Sequence, residues 1–233
     1  MSTTALSCGN TDHAARPGSH SVKWFDVPAS PGREDIDPLL ADTTDRIVVH
    51  GTDADLAAVV LRLLRKNRLG DLAVGYVPVA QSPAAELLGL EPGDFDRAFT
   101  AEPRPAPLIR DDSGGVLLAS GRIEPITGQV YCDDERVLNG PALALEVTPD
   151  PQAAPLPVPT ADPAEANLEP ATDGLVVTVV QRRFFRRRSS SARGRAAQAS
   201  FRSATVVRDG VPHPRQVNKW VWYRHTQDLL LAR

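Results

Sequence analysis

The chain has 233 residues, 42% hydrophobic and 24% charged, with a formal net charge of −3, a composition that fits a soluble globular protein and excludes a disordered or fibrous one. No apolar run approaches the ~20 residues of a membrane span, and the first twenty residues lack the basic and apolar regions of a secretory leader. Two cysteines, Cys8 and Cys132, make no disulfide framework, so the expected setting is the cytoplasm.

Residues 1–22 are small, polar and without periodicity, and read as a disordered tail. "VKWFDVP" reads as a short strand. "DRIVVHG" is a strand by its β-branched run. Residues 53–66 carry the clearest helical stripe in the chain: Leu56, Val59, Val60, Leu63 and Leu64 follow i, i+3, i+4, i+7, i+8 spacing. Arg62, Arg65 and Lys66 lie on the other side or at the C-terminal end, where cations suit the dipole. "DLAVGYVPV" is a second strand. In "SPAAELLGL" Ser82 caps a short helix, Pro83 sits in its first turn and Gly89 ends it. This strand–helix–strand–helix order predicts a small parallel α/β layer over residues 23–103.

From residue 104 the pattern turns to antiparallel β. "APLIRDDSGGVLLASGRIEP" reads as two apolar strands joined by Asp-Ser-Gly-Gly, a hairpin signal. "GQVYCDDERVLNGPALALEVTPD" follows as short strands with tight turns. A proline-rich insertion, 149–172, reads as an extended excursion. After it, "GLVVTVVQRRFF", "RGRAAQASFRSATVVRDGVPHPR" and "KWVWYRHTQDLLLAR" favour strands. The expected fold is thus α/β plus all-β, with the second part, 104–233, sandwich-like. In the last segment Trp220 and Trp222 share one strand face, read either as core filling or as a stacking platform.

The turn from "RIVVHG" into the 53–66 helix is placed like a phosphate-binding loop. A helix start offers free N–H groups and the positive end of a dipole, and glycines let a phosphate approach. Here Gly51, Thr52 and Asp53 are the candidate nucleotide-binding residues. Asp53 and Asp55 would repel a triphosphate unless a cation such as Mg²⁺ bridged them. The other reading is a self-capped helix, with Thr52 or Asp53 as N-cap and Asp55 favouring the dipole. His50 stands alone at the strand end, with no second residue at metal-ligand spacing.

Asp111 and Asp112 precede Ser113-Gly114-Gly115 and are candidate metal ligands, or simply turn residues. Asp133 and Asp134, followed by Glu135, are candidate catalytic carboxylates able to accept a hydroxyl proton, or again hairpin residues.

The charge is unevenly divided. Residues 174–233 hold 13 Lys+Arg and 2 acids, a balance of +11, and residues 1–173 a balance of −14. "RRFFRRRSSSARGR" concentrates it: Arg182, Arg183, Arg186, Arg187 and Arg188 are candidate anion-binding residues for a lipid or other anionic surface, or for nucleic acid. The alternative is a solvated loop answering the acidic half. Ser189, Ser190 and Ser191 after three arginines also look like a basophilic phosphorylation site.

Taken together, "HGTDADLAAVV" after a strand, "VPVAQSPAAELLGL" with Pro78, Ala85, Leu88 and Gly89, and "VYCDDERV" in a late hairpin resemble the diacylglycerol kinase catalytic family, whose fold is related to that of NAD kinases. "VVRDGVP" is a second, partial match to that family's Asp-Gly-Glu element. The resemblance spans residues 45–148 and, less clearly, 174–233. It implies a small α/β nucleotide domain followed by a β-sandwich. It also implies ATP and Mg²⁺ as cofactors and phosphorylation of a lipid or small-molecule hydroxyl, if the chain is active. The Gly-Gly-Asp-Gly-Thr and Gly-Thr-Gly-Asn-Asp elements of that family are degenerate here, which points to a divergent, non-catalytic relative. The alternative is a non-enzymatic module binding nucleic acid or anionic membrane through residues 182–195.

Overall fold

The computed structural model describes residues 2–9, 22–156, 173–183 and 186–233. The chain forms two units, Met1–Ala106 with Leu229–Arg233, and Pro107–Asp228. The first unit runs β1 (Thr3–Cys8), β2 (Lys23–Val27), α1 (Arg33–Asp42), β3 (Arg46–Gly51), α2 (Asp53–Arg65), β4 (Ala73–Pro78), α3 (Pro83–Leu88), α4 (Phe95–Thr100) and β5 (Pro103–Ala106). The second holds β6 (Ile109–Asp111), β7 (Val116–Leu117), β8 (Gly121–Ile123), β9 (Ile126–Cys132), β10 (Glu135–Ala142) and β11 (Ala144–Pro149). It continues with β12 (Leu175–Arg183), β13 (Arg186–Gly194), β14 (Ala196–Ala204), β15 (Val206–Arg208), β16 (Val211–Pro212) and β17 (Val217–Arg224). The last strand, β18 (Leu229–Ala232), returns to the first unit.

The first unit is built on one six-stranded sheet, ordered β2-β1-β3-β4-β18-β5. All neighbours in it are parallel except β18 and β5. Parallel strands are covered on both faces and read as continuous apolar runs; β3 and β4 are buried at every position. Phe95 and Ala98 of α4 pack on Ala5, Val48 and Val77. Gly75 has no side chain because the Ala98 carbonyl lies where a Cβ would stand. The Arg46 guanidinium donates to the carbonyls of Ala98 and Ala101, satisfying the exposed end of α4.

Two elements depart from the sequence expectation. Thr3–Cys8, expected in a disordered tail, is instead a strand, with Thr4 to Cys8 buried. Most of its side chains are small or polar, and Ser7 is as buried as Leu6 while Thr4 is 5% exposed, so hydropathy does not mark it. The Thr4 and Thr43 hydroxyls bond at 2.7 Å, and Thr43 donates to the Leu39 carbonyl. Residues 10–21 lie outside the described residues. The second departure is α1, which forms despite Pro38 in its interior. Asp37 ties it to α2, accepting from Arg62 at 2.8 and 2.9 Å and pairing with Lys66 at 2.9 Å. Burial pushes the Asp37 carboxyl the other way, but the bonds from Lys66 and Arg62 hold it below the usual carboxylate range.

The second unit is two antiparallel sheets, β10-β9-β14-β17-β6-β7 and β13-β12-β11-β8-β15-β16. Inward residues of both sheets form one core, with Val130, Phe201, Trp220 and Trp222 from the first and Ile123, Leu145, Val147 and Val177 from the second. This is the α/β plus β-sandwich-like class expected from the alternation. Trp220 and Trp222 are 2% and 0% exposed, so they fill the core and offer no stacking platform. Gly121 makes room for the Trp222 indole, which lies 2.7 Å from where its Cβ would be. The expected boundary at 104 falls three residues before Pro107, and Leu229–Arg233 leave the β region. Most of the proline-rich insertion, residues 157–172, lies outside the described residues.

The ends of that insertion are pinned by a buried ion pair. Arg224 donates to Asp228 at 2.9 Å, to the Ala154 carbonyl at 2.9 Å and to the Asp173 carbonyl at 3.1 Å. Asp228 also accepts from the Leu156 amide at 2.8 Å. Gly174 is required here, because the Arg224 side chain runs through the space of its Cβ.

Candidate functional site

The α/β unit carries a cavity of about 660 Å³ at the C-terminal ends of β1, β3 and β4, where Cys8, Gly51 and Pro78 reach it. Open α/β sheets bind ligands at this edge. Thr52 and Asp55, from the start of α2, line it together with His50 and Phe95. The two rings meet edge to face, with centroids 5.0 Å apart.

The start of α2 satisfies two of its own amides. The Asp55 N–H donates to the Thr52 hydroxyl at 3.3 Å, and the Thr52 N–H donates back to the Asp55 carboxylate at 2.7 Å. This is a capping box with Asp in the third position. The Thr52 hydroxyl donates to the same carboxylate at 2.8 Å, and the Ser30 N–H donates to its other oxygen at 2.6 Å. A Cβ on Gly51 would stand 2.7 Å from that carboxylate and 3.0 Å from the Cys8 Cβ. The room that a glycine leaves for a phosphate is therefore filled by Asp55.

Asp53 turns away from the helix axis into a second network. It accepts from the Tyr76 hydroxyl at 2.8 Å, the Ser82 hydroxyl at 2.6 Å and the Ala84 N–H at 3.0 Å. It thus links the ends of β3 and β4 to the start of α3. Burial, and then the Asp53 charge, push the Tyr76 phenol well above its usual range. Burial and Asp55 likewise push the Cys8 thiol up to about 12, so it stays protonated and is a poor nucleophile.

The sequence-predicted residues are divided between the two units. Gly51, Thr52 and Asp53 lie together at the β3–α2 turn. Asp111 and Asp112 lie in the β6–β7 turn of the second unit, where Asp111 accepts from the Ser113 N–H at 2.9 Å and the Gly115 N–H at 3.0 Å. Its other oxygen takes Arg208 at 2.7 Å, while Asp112 is exposed. Among the described residues, no group of three or more His, Cys, Asp or Glu could hold a metal ion. Asp133 and Asp134 form the β9–β10 turn. Asp133, at φ 48°, accepts from the Arg195 and Ala196 amides at 3.0 and 2.9 Å, and Asp134 is exposed. Burial, then Asp133, push the neighbouring Cys132 thiol up to about 11. Asp209 of the "VVRDGVP" stretch accepts from the amides of Leu118, Ala119 and Ser120.

Sequence reasoning missed Ser30 and Phe95 as cavity residues. Neither carries a motif; each arrives from a loop or short helix that only the folded sheet brings to β3.

ATP and Mg²⁺, the cofactors that the family resemblance implies, would need cations or free amides facing the phosphates. Among the described residues, no Lys or Arg lines the cavity. The Thr52 amide at the β3–α2 turn already holds the Asp55 carboxylate. The residues present do not fit a magnesium-bound triphosphate.

No protein-family model and no curated protein matches the sequence. Solved structures do match. A putative diacylglycerol kinase from Bacillus anthracis str. Sterne is similar at TM-score 0.64 and 10% identity, over 99% of this chain and 97% of that one. A structure described as a diacylglycerol kinase from the same organism is similar at 0.60 and 13%, over 99% and 96%. An NAD kinase from Archaeoglobus fulgidus in complex with ATP is similar at 0.56 and 13%, over 99% and 93%. The chain thus has the two-domain fold of the diacylglycerol kinase-like and NAD kinase structures.

Proposed function

We propose that this chain is a kinase-fold protein that does not transfer phosphoryl groups, and that the cavity at the ends of β1, β3 and β4 binds a small ligand without phosphates. The observation that carries this reading is the Asp55 carboxylate. It accepts three hydrogen bonds at the α2 start and fills the space beside Gly51. A phosphate there would have to displace it, and two anions at one helix end repel. The His50 and Phe95 rings, with the Asp55 carboxylate in the same lining, suit an uncharged or cationic ring compound better than a nucleotide.

A thermal-shift titration with ATP and Mg²⁺ tests the reading. A ligand at 100 times its Kd would add about 2.7 kcal/mol to stability. The expected result is no shift at millimolar ATP–Mg²⁺ and no phosphate transfer to diacylglycerol. Either a clear shift or measurable turnover would show an active lipid-kinase-like phosphotransferase instead.

A further inference from the structure

The most basic stretch of the sequence forms a ribbon. β12 and β13 pair without interruption from Leu175 opposite Gly194 to Arg183 opposite Arg186. β13 is the edge strand of its sheet, and Arg186 to Ser191 are exposed. β12 pairs with β11 on its other side as far as Val180, so the two-stranded part is Gln181–Arg183 opposite Arg186–Arg188, about 10 Å at 3.4 Å per residue. The core contacts of the ribbon lie at its other end, through Leu175, Val177 and Val179.

Register divides the arginines between both faces. Arg188 lies opposite Gln181, on the face that Val177 and Val179 turn inward, and Arg186 shares that face. Arg187 lies opposite Arg182 on the other face, a like-charged pair that is unfavourable without an anion. Arg193, further along, pairs with Asp150 at 3.1 Å. Arg182, Arg186, Arg187 and Arg188 have no acidic partner among the described residues.

A flat anionic surface meets one face of a ribbon. A groove walled by phosphates meets both. The major groove of B-form DNA is about 12 Å wide and admits a two-stranded β-ribbon. The equivalent groove of duplex RNA is too deep and narrow for side chains to read. We propose that the β12–β13 ribbon enters the major groove of double-stranded DNA, with Arg182, Arg186, Arg187 and Arg188 on phosphates of both walls. Nothing in this rests on the α2 cavity or on whether the chain is a kinase.

The test is fluorescence anisotropy of a labelled, mixed-sequence 20-base-pair DNA duplex titrated with the full chain. Four phosphate contacts predict a loss of affinity on the order of 100-fold between 50 and 200 mM salt. Combined Arg186→Ser, Arg187→Ser and Arg188→Ser substitution should abolish binding. A charge-matched variant at exposed positions outside the ribbon, Arg202→Ser with Arg215→Ser and Lys219→Ser, should retain most of it. Should the ribbon variant fail to fold by circular dichroism, Arg187→Ser alone should lower the salt slope by about 0.9. The proposal is overturned by no binding at 50 mM salt, by salt-independent binding, or by equal loss in the two triple variants. It is also overturned by equal affinity for duplex RNA, or by capture on phosphatidylserine vesicles without binding to the duplex.

Discussion

The start of α2 and the β12–β13 ribbon each gather charge of one sign, and they follow opposite rules. At α2, Asp53 and Asp55 each accept three hydrogen bonds from the surrounding fold. At the ribbon, four guanidiniums stand exposed with no acidic partner among the described residues. A carboxylate holding backbone amides belongs to the scaffold. Exposed like charges that oppose one another cost stability, so they call for an external partner. Asp53, Asp111, Asp133 and Asp209 each accept hydrogen bonds from the fold, whereas the four ribbon arginines have no acidic partner among the described residues.

Arg224 breaks the comparison most sharply, since it is an arginine treated as the carboxylates are. Its side chain is 0% exposed and Asp228 is its ion partner. Asp228→Ala should therefore cost the most of any change considered, about 3–5 kcal/mol, read by urea denaturation. A loss below about 1 kcal/mol would show that the Ala154 and Asp173 carbonyls suffice for the charge.

Next in size is Asp53→Ala, which takes their acceptor from the Ser82 hydroxyl and the Ala84 amide and leaves the Tyr76 hydroxyl only the Gly51 carbonyl at 3.4 Å. The expected loss is about 1–3 kcal/mol. A double-mutant cycle with Tyr76→Phe should show coupling, because the two share one 2.8 Å bond. Strict additivity would mean that Asp53 acts only as helix charge.

Those networks explain what the sequence could and could not show. Thr52 as N-cap, Ser82, Pro83 and Gly89 around α3, and the Asp-Ser-Gly-Gly turn were legible because each acts within four residues. Gly89 sits at φ 64° as a helix-ending glycine should. β1 was hidden because small polar residues fill a central strand. α1 was hidden by Pro38. The partners of the acidic residues were illegible for a different reason: Asp209 holds amides about ninety positions away, and no local pattern encodes that. Gly51 was read as space for a ligand, and only the fold shows that Asp55 occupies it.

A smaller effect comes from the thiol beside that carboxylate. The Cys8 pKa is raised from 9.0 to about 12, so the folded chain keeps a proton that the unfolded chain releases. Stability from this source is complete below pH 9 and falls as pH rises toward 12. Cys132, raised to about 11, adds to the fall over part of the range. Cys8→Ala should make the decline in Tm between pH 9 and 10.5 shallower without removing it. An unchanged slope would mean that the thiol is not sequestered by burial and Asp55.

The smallest expected change lies in the ribbon, and its smallness is informative. Arg187→Ser removes an exposed side chain from an edge strand and ends its opposition to Arg182. Surface changes of this kind fall within about 0.5 kcal/mol, and relief of the like-charged pair gives this one a stabilising sign. The gain should be larger at 20 mM salt than at 500 mM, since screening already weakens the repulsion. Denaturation at the two salt concentrations measures it. If Arg187→Ser instead costs more than about 1 kcal/mol, the guanidinium is bonded within the fold. The ribbon would then follow the rule of α2, and the contrast between the two regions would be lost.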